Sequence, residues 1–497
     1  MKRGSKAGVA GLVVFVAGFL GTPAWPADVL FMEPAGATEK GSPRTYRQVT
    51  DAGRLKTYSG WLENESAKRA LDLYGAAWAT MQKRQGGGEA LPAYCIALEK
   101  GGNHADIGFR LQTADGVEEH PHRPYIKLDP DEWRFSTTLL HETGHVVLAV
   151  LTDGREIPTR ELASIPHTTA ALTDRGTAFN EGFAIHLETL AAHLTRDPEL
   201  RSRYQHERFA FGPAGGKQGE YFRHAADLLS FSQNIARYFE VRENNFAFAP
   251  AFRGPDYLRV QLEKSRDFAT LRDADQLLQS EGFYASFFFA YLVRGDGLPS
   301  AKLLAERQER MLGVLAEMFA AYPPEPDSPH LLRFVETHLR QQPDEAEGIV
   351  DVLMDLSHGV LVDADAAGLW REYYLAALRL DLKELPLVRM VAARERWRIA
   401  ARDDPQVLYS RLGPQIACIV PARAVKLAAL GDEQPLRFDI NTAEEGILLM
   451  IPGINAEEVA RWQAERARQP FKDATDFRSR AGLRPEVISE LRFPESG

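Results

Sequence analysis

The strongest constraint in this sequence is the pentapeptide His141-Glu142-Thr143-Gly144-His145, an H-E-x-x-H pattern. On a helix, residues four apart lie on one face, so both imidazoles can reach a single metal ion. Zn²⁺ accepts nitrogen ligands in tetrahedral geometry, and Glu142 would stand beside it, ready to take a proton from coordinated water. The pattern therefore predicts a zinc site with a general base.

The residues on both sides of the pentapeptide, 133–140 and 146–151, are largely apolar. Such a run predicts a helix that is buried in the protein core. Two histidines in a buried helix need partners, because an unpaired polar group is costly to remove from water. A metal ion is one such partner, and backbone carbonyl groups are the alternative.

Length, charge and cysteine content bound the class of protein. A chain of 497 residues predicts two or three domains. The formal net charge of −10 gives no global attraction to nucleic acid or to anionic lipid. Cys95 and Cys418 are far apart in sequence and predict neither a disulfide framework nor a thiolate metal site.

The N-terminus has the pattern of a targeting segment. Lys2, Arg3 and Lys6 precede an apolar run at residues 7–20, which is short for a membrane span, and small residues follow it. We expect a signal peptide at residues 1–27 and an exported protein, either periplasmic or secreted. An uncleaved N-terminal membrane anchor is the alternative, and no later stretch is long and apolar enough to span a bilayer.

The sequence then predicts a helix, a small β-sheet and the helix that carries the two histidines. Apolar residues recur at helical spacing over 61–85, and a glycine triplet ends that run. Three strand candidates follow at 93–99, 107–113 and 124–128. This order predicts an α+β fold in which the sheet leads directly into the metal-bearing helix.

A second motif follows the polar connection after this helix, at residues 180–184, where the sequence reads N-E-G-F-A. The combination of H-E-x-x-H with this segment resembles the gluzincin peptidases, which have a zincin-like catalytic fold. The resemblance implies Glu181 as the third zinc ligand beside His141 and His145, with water in the fourth position. It also implies Glu142 as general base, and an edge strand that pairs with extended substrate backbone.

The chain departs from the gluzincin pattern in the residue that orients a ligand histidine. Thermolysin-like members have an acidic residue four positions after the ligand glutamate, where this sequence has Ile185, and Glu188 is a further candidate for that task. Glu181 could instead pair with a surface cation at a helix start. His167 and His186 stay open as alternative third ligands.

Peptidases of this type use a tyrosine or histidine downstream of the ligands to donate a hydrogen bond to the oxyanion. Tyr284, Tyr221 and His224 are the candidates, and Tyr284 is the residue that we select. It lies in an aromatic segment, and aromatic segments in helices commonly form core packing. The phenylalanines at 287–289 are expected to pack in the core.

The C-terminal stretch contains the sequence D-I-N-T-A at residues 439–443 and P-G-I at 452–454. It resembles the helix-hairpin-helix module of competence DNA receptors and of a minor subunit of type II secretion systems. DNA-binding members use glycines so that hairpin N–H groups approach phosphate closely. Here Asn455 stands where a second glycine is usual, and glutamates lie nearby. We therefore favour protein contacts over nucleic acid for this module.

Together these patterns predict an exported zinc metallopeptidase that acts on peptides or proteins. The expected units are a zincin-like domain at 28–300, a helical domain at 301–433 and the C-terminal module at 434–497. The sequence lacks a clear G-x-M-E-N element, which favours an endopeptidase over an aminopeptidase. The alternative is a binding or secretion-accessory protein whose peptidase fold is degenerate.

Overall fold

The computed structural model describes residues 28–36, 43–130, 137–158, 173–194, 273–295, 299–325, 327–366, 368–370, 372, 385–421, 435–443 and 448–493. This part of the chain combines α-helices with β-strands. The expected signal peptide at 1–27 lies outside the described residues, as do His167, Tyr221 and His224. Within the described ranges, no helix has both the length and the apolar character that crossing a bilayer requires.

Five strands close into a barrel in the order β1-β2-β4-β5-β3. They are β1 (Val29–Pro34), β2 (Thr45–Gln48), β3 (Tyr94–Leu98), β4 (His104–Thr113) and β5 (Gly116–Leu128). The three strands expected from the sequence correspond to β3, β4 and β5. Closure comes from the first two strands, because β1 pairs in parallel with β3 and β2 pairs in parallel with β4.

Side chains alternate between two apolar clusters along the barrel strands, as the twofold period of a strand requires. On β3, Cys95 and Ala97 belong to the small cluster shared only by barrel strands. Tyr94, Ile96 and Leu98 belong to the large cluster formed with the helices. One face of β3 therefore serves as the floor on which the helical part of the protein packs.

Four helices surround this floor: α1 (Ala52–Trp61), α2 (Glu65–Gln85), α3 (Thr137–Leu151) and α4 (Arg175–Leu194). Asn64 caps the start of α2 by accepting from the Ala67 N–H, and Gly86 ends it in the left-handed region at φ 65°. Helix α3 packs against both α2 and α4. The buried Tyr94 and Thr143 hydroxyls are 2.6 Å apart and fix α3 on the barrel.

The remaining helices of the large core are α5 (Ala274–Leu277), α6 (Glu281–Val293), α7 (Ala301–Ala321), α8 (His330–Gln341), α9 (Ala346–Ser357) and α10 (Leu385–Asp403). Helix α6 packs along α4. Apolar side chains on both sides of residue 300 belong to one cluster, which extends from Phe31 to Leu408. The helices after residue 300 therefore complete the core around α4.

The C-terminal part has a hydrophobic core of its own, centred on Trp462 and Phe477. It contains the antiparallel strands β6 (Ala417–Val420) and β7 (Leu436–Asp439) and the helices α11 (Ala456–Arg468), α12 (Ala474–Arg480) and α13 (Pro485–Ile488). Cys418 and Val420 belong to this core, so it begins upstream of residue 434, where the sequence motifs start.

Two fully buried histidines on α8 predict acid sensitivity. His330 and His338 are both 0% exposed, and burial lowers the pKa of His330 to about 3 and that of His338 to about 4. The unfolded chain has histidine pKa values of about 6.5, so below that pH it binds protons that the folded protein excludes. The free energy of unfolding should fall by up to about 1.4 kcal/mol per pH unit for each histidine. Urea unfolding at pH 7 and at pH 5 measures this change in the free energy of unfolding.

The matched variant for this measurement is His330→Phe, which keeps an aromatic ring against Phe179 and Phe319 but cannot titrate. It should lose about a third of the contribution that the three buried histidines His186, His330 and His338 make to the pH dependence. His104→Gln, at an exposed position on β4, should retain all of it. An unchanged pH dependence in His330→Phe would contradict the assignment.

Candidate metal centre

Helices α3 and α4 run antiparallel and approach so closely that their backbones touch. A Cβ atom added at Gly144 would lie 2.8 Å from the Ala184 Cα and 3.2 Å from the Leu187 Cδ1. Real Cβ atoms do not come that close, so only glycine permits this spacing. The glycine inside the H-E-x-x-H pattern therefore sets the distance between the two helices that carry the predicted ligands.

Three of the predicted site residues converge on one point between these helices. The Nε2 atoms of His141 and His145 are 3.2 Å apart. The Glu181 Oε2 lies 3.2 Å from the Nε2 of His141 and 3.6 Å from that of His145. Among the described residues, this is the group of histidine, cysteine and acidic side chains whose geometry could hold a metal ion.

The other ring nitrogen of each histidine is held by an oxygen atom from α4. The Nδ1 of His141 lies 2.5 Å from the Glu188 Oε1, and the Nδ1 of His145 lies 3.0 Å from the Asn180 Oδ1. Both oxygens accept, so each Nδ1 carries the proton that it donates. Both Nε2 lone pairs then face the Glu181 carboxylate oxygen, which is the arrangement of a metal site with oriented histidines.

The distances between these three atoms fit a tetrahedral site. Ligand bonds of about 2.0–2.1 Å in tetrahedral geometry put neighbouring ligand atoms about 3.3 Å apart. The observed separations of 3.2, 3.2 and 3.6 Å are close to that value. Two nitrogens and one carboxylate oxygen are donors that Zn²⁺ accepts, although Mn²⁺, Fe²⁺ and Co²⁺ accept them as well.

Electrostatics at the site favour a cation. Burial lowers the pKa of His141, but its hydrogen bonds to Glu181 and Glu188 outweigh that effect and hold this pKa well above its ordinary value. Two carboxylates thus face one imidazole in an environment with little water. The same attraction that favours a proton on this imidazole favours a divalent cation between the ligands.

Glu142 lies on the adjoining face of α3 and is 5% exposed. It is the residue after the first histidine, and its charge acts on the buried Tyr94 hydroxyl of the barrel. Glu142 is thus a buried carboxylate on the helix that carries both histidines.

Of the other candidates, the structure describes Tyr284 and His186, and neither belongs to the metal-ligand group. The Tyr284 side chain is 0% exposed, its ring packs edge-on against Phe179, and its hydroxyl has no hydrogen-bond partner among the described residues. Burial raises the pKa of Tyr284, and the charges that act on it are those of Arg175, Asp275 and Asp174, at the start of α4. These surroundings give no support to the predicted role of Tyr284, which is to donate a hydrogen bond to the oxyanion.

His186, an alternative third ligand, also faces the core. Its Nδ1 bonds the Phe183 carbonyl oxygen, and its ring packs against Phe183 and Phe288. Burial lowers the pKa of His186 to about 3, so it is a neutral core residue. Glu181, rather than His186, supplies the third donor atom of the group.

Of the two orienting residues, Glu188 is a candidate from the sequence alone and Asn180 is not. The family pattern directs attention to position 185, but Ile185 is a buried apolar residue and Glu188 holds His141 instead. Asn180 belongs to the N-E-G-F-A segment, but the resemblance assigns a role in that segment only to its neighbour Glu181. In an antiparallel helix pair, a residue near the start of one helix faces one near the end of the other. That register is the signal that would have found Asn180, opposite His145.

The C-terminal hairpin uses its own N–H groups internally. The Asn455 N–H donates to the Glu458 Oε2 at 3.1 Å, and the Ile454 N–H donates to the Ile451 carbonyl oxygen. Hydrogen bonds from Arg484 hold the pKa of the buried Glu458 down at about 2, so a carboxylate anion lies beneath the hairpin. Glu458 is paired with Arg484, so the pair has no net positive charge to attract phosphate.

Comparisons with protein-family models, with curated proteins and with solved structures give no match to this chain. The function is therefore inferred from the geometry of the site and from the sequence motifs that build it.

Replacing Glu188 should weaken metal binding without removing a ligand. Glu188→Ala deletes the acceptor that fixes the His141 ring, and such losses cost about 10–100-fold in metal affinity. Glu188→Gln keeps an acceptor oxygen but loses the charge, so its loss should be smaller. Dissociation constants from chelator competition measure both effects, and Glu119→Ala, an exposed carboxylate on β5, is the control. Equal affinity in Glu188→Ala and parent would show that the 2.5 Å contact does not orient the ligand.

Proposed function

We propose that this protein is an exported, zinc-dependent metallopeptidase. The observation that carries the proposal is the convergence of the His141 Nε2, the His145 Nε2 and the Glu181 Oε2 within 3.2–3.6 Å of one another. Three protein ligands with one open position are the composition of catalytic rather than structural zinc sites. The resemblance of the two motifs to the gluzincin peptidases supports peptide-bond hydrolysis as the reaction.

The chemistry divides between the cation and the protein. When bound by these ligands, Zn²⁺ supplies Lewis acidity, which acidifies a coordinated water and polarises a substrate carbonyl. The Glu142 carboxylate takes up the proton of the attacking water on one of its oxygens and passes it to the leaving amine nitrogen. Glu188 and Asn180 keep the protons of His141 and His145 on Nδ1, so that both Nε2 atoms stay available as ligands.

For the C-terminal module we propose a protein-contacting role. The support is the internal bonding of the hairpin N–H groups and the buried Glu458 anion beneath them. The segment 435–493 carries nine basic and ten acidic side chains, so no net positive charge attracts nucleic acid. Peptides or proteins are the proposed substrates of the metal centre. The proposal also includes export through a signal peptide at 1–27.

Glu142→Gln should give a folded, zinc-loaded protein with almost no hydrolytic activity. The amide keeps the size and reach of the carboxylate but cannot accept a proton at neutral pH, and losing a general base costs about 10²–10⁴ in rate. Zinc content by elemental analysis and hydrolysis of an unfolded substrate such as casein measure the two properties. Activity within a few-fold of the parent would exclude the hydrolytic role of Glu142.

Glu181→Ala should lose zinc, because it removes one of three protein ligands. His141→Ala is expected to do the same, which separates ligands from the base at position 142. Full zinc retention with unchanged affinity in Glu181→Ala would remove Glu181 from the site. Zinc binding in a parent protein that hydrolyses no peptide bond would favour the alternative of a binding or secretion-accessory protein.

A further inference from the structure

The start of the ligand helix α4 is fixed by a set of buried polar contacts that the metal centre does not use. Asp174 caps the helix, because its side chain accepts from the Thr177 N–H at 2.9 Å and from the Thr177 hydroxyl at 2.7 Å. One residue earlier, the Thr173 N–H donates to the Gln279 carbonyl oxygen at 2.9 Å. Segments distant in sequence therefore determine where α4 begins.

Arg175 is the centre of these contacts. Its side chain is buried, and the guanidinium forms an ion pair with Asp275 of α5. It also donates to the Asp327 carbonyl oxygen at 2.9 Å and to the Gly413 carbonyl oxygen at 3.1 Å. Arginine suits this position because its planar group has five donors in fixed directions, which lysine lacks.

The same contacts reach the C-terminal module. The Gly413 N–H donates to the Asp275 Oδ2 at 3.1 Å, next to the chain that enters the module. Thr442, in the D-I-N-T-A segment, donates to the Gln279 Oε1 at 3.0 Å, and its carbonyl oxygen accepts from Gln276 at 3.1 Å. The module is thus joined to the start of α4 by two routes, one through Arg175 and one through Gln279.

We propose that Arg175 is a positioning residue that sets where Glu181 stands relative to the two histidines, and that the C-terminal module acts on the metal centre through Arg175 and Gln279. This inference rests on the proposed metal site. The histidines belong to α3, which is fixed on the barrel by the Tyr94–Thr143 contact, whereas Glu181 belongs to α4. A change at Arg175 therefore moves one ligand and leaves the other two in place.

A small displacement of Arg175 is enough to move Glu181 out of range of the metal, because a rigid helix connects the two residues. Glu181 lies six residues after Arg175, about 9 Å along a rigid helix at 1.5 Å per residue. Metal–ligand distances vary by about 0.2 Å between good sites of one type. A displacement of half an ångström at the start of α4, carried along the helix, is thus enough to weaken the contribution of Glu181.

Co²⁺ is the probe for the test, because its visible absorption reports coordination number and ligand geometry. The first variant is Arg175→Leu combined with Asp275→Leu, which removes both members of the ion pair and leaves no buried lone charge. The second is Thr442→Val, which changes the module side alone. Arg394→Leu combined with Asp355→Leu removes an ion pair between α9 and α10 and is the matched control.

We expect the Arg175/Asp275 double variant to bind Co²⁺ at least ten-fold more weakly than the parent, with an altered absorption spectrum. Thr442→Val should weaken binding by a few-fold, and the control should match the parent even if its melting temperature falls. Arg175→Lys, which keeps the charge, serves if the double variant does not fold, and it should also weaken binding.

Unchanged Co²⁺ affinity and spectrum in the Arg175 variants, with only a lowered melting temperature, would overturn the inference and make Arg175 a stabilising residue alone. That result would leave the proposed peptidase intact. A parent protein that binds neither Co²⁺ nor Zn²⁺ would overturn the metal centre and this inference together. Binding without peptide hydrolysis would overturn only the proposed reaction.

Discussion

The site depends on how closely α4 is held between two other helices. Gly144 of α3 allows contact with Ala184 on one side of α4. On the other side, a Cβ atom at Gly182 would lie 2.5 Å from the Tyr284 Cβ of α6. Because a glycine lies at each contact, α4 can approach its neighbours more closely than a helix with larger residues at those positions could. The side chains of Asn180, Glu181 and Glu188 on α4 reach the ring nitrogens of α3.

The part of the site that can be predicted from the sequence is the part that local geometry determines. The four-residue spacing of His141 and His145 needs only a helix to bring both rings to one face. Glu181 was reached through family resemblance, since nothing in the long connection before it specifies where α4 lies. Glu188 is only a candidate from the sequence and Asn180 is not named there, because the register between two helices is decided by packing at Gly144 and not by the period of either helix.

The strands of the fold can be predicted from the sequence to a similar extent. Alternation of apolar residues located β3, β4 and β5, but barrel closure requires β1 to pair with a strand about 60 residues away, and local pattern carries no signal of that. The same limit applies to the C-terminal core, where Cys418 of β6 joins strand β7 across a long connection. The role of Tyr284 stays a prediction, because an aromatic residue that packs and one that donates to substrate look alike in sequence.

The division of the ligands between two helices has a consequence for folding. A cation bound by His141 and Glu181 closes a loop of about 40 residues, as a disulfide would, and loop closure of that length restricts the unfolded chain by about 4 kcal/mol. The two cysteines cannot supply such a link to one another, since Cys95 and Cys418 are buried in different cores. The metal would then act as an exchangeable cross-link, and the fraction of folded protein would follow the concentration of free metal ion.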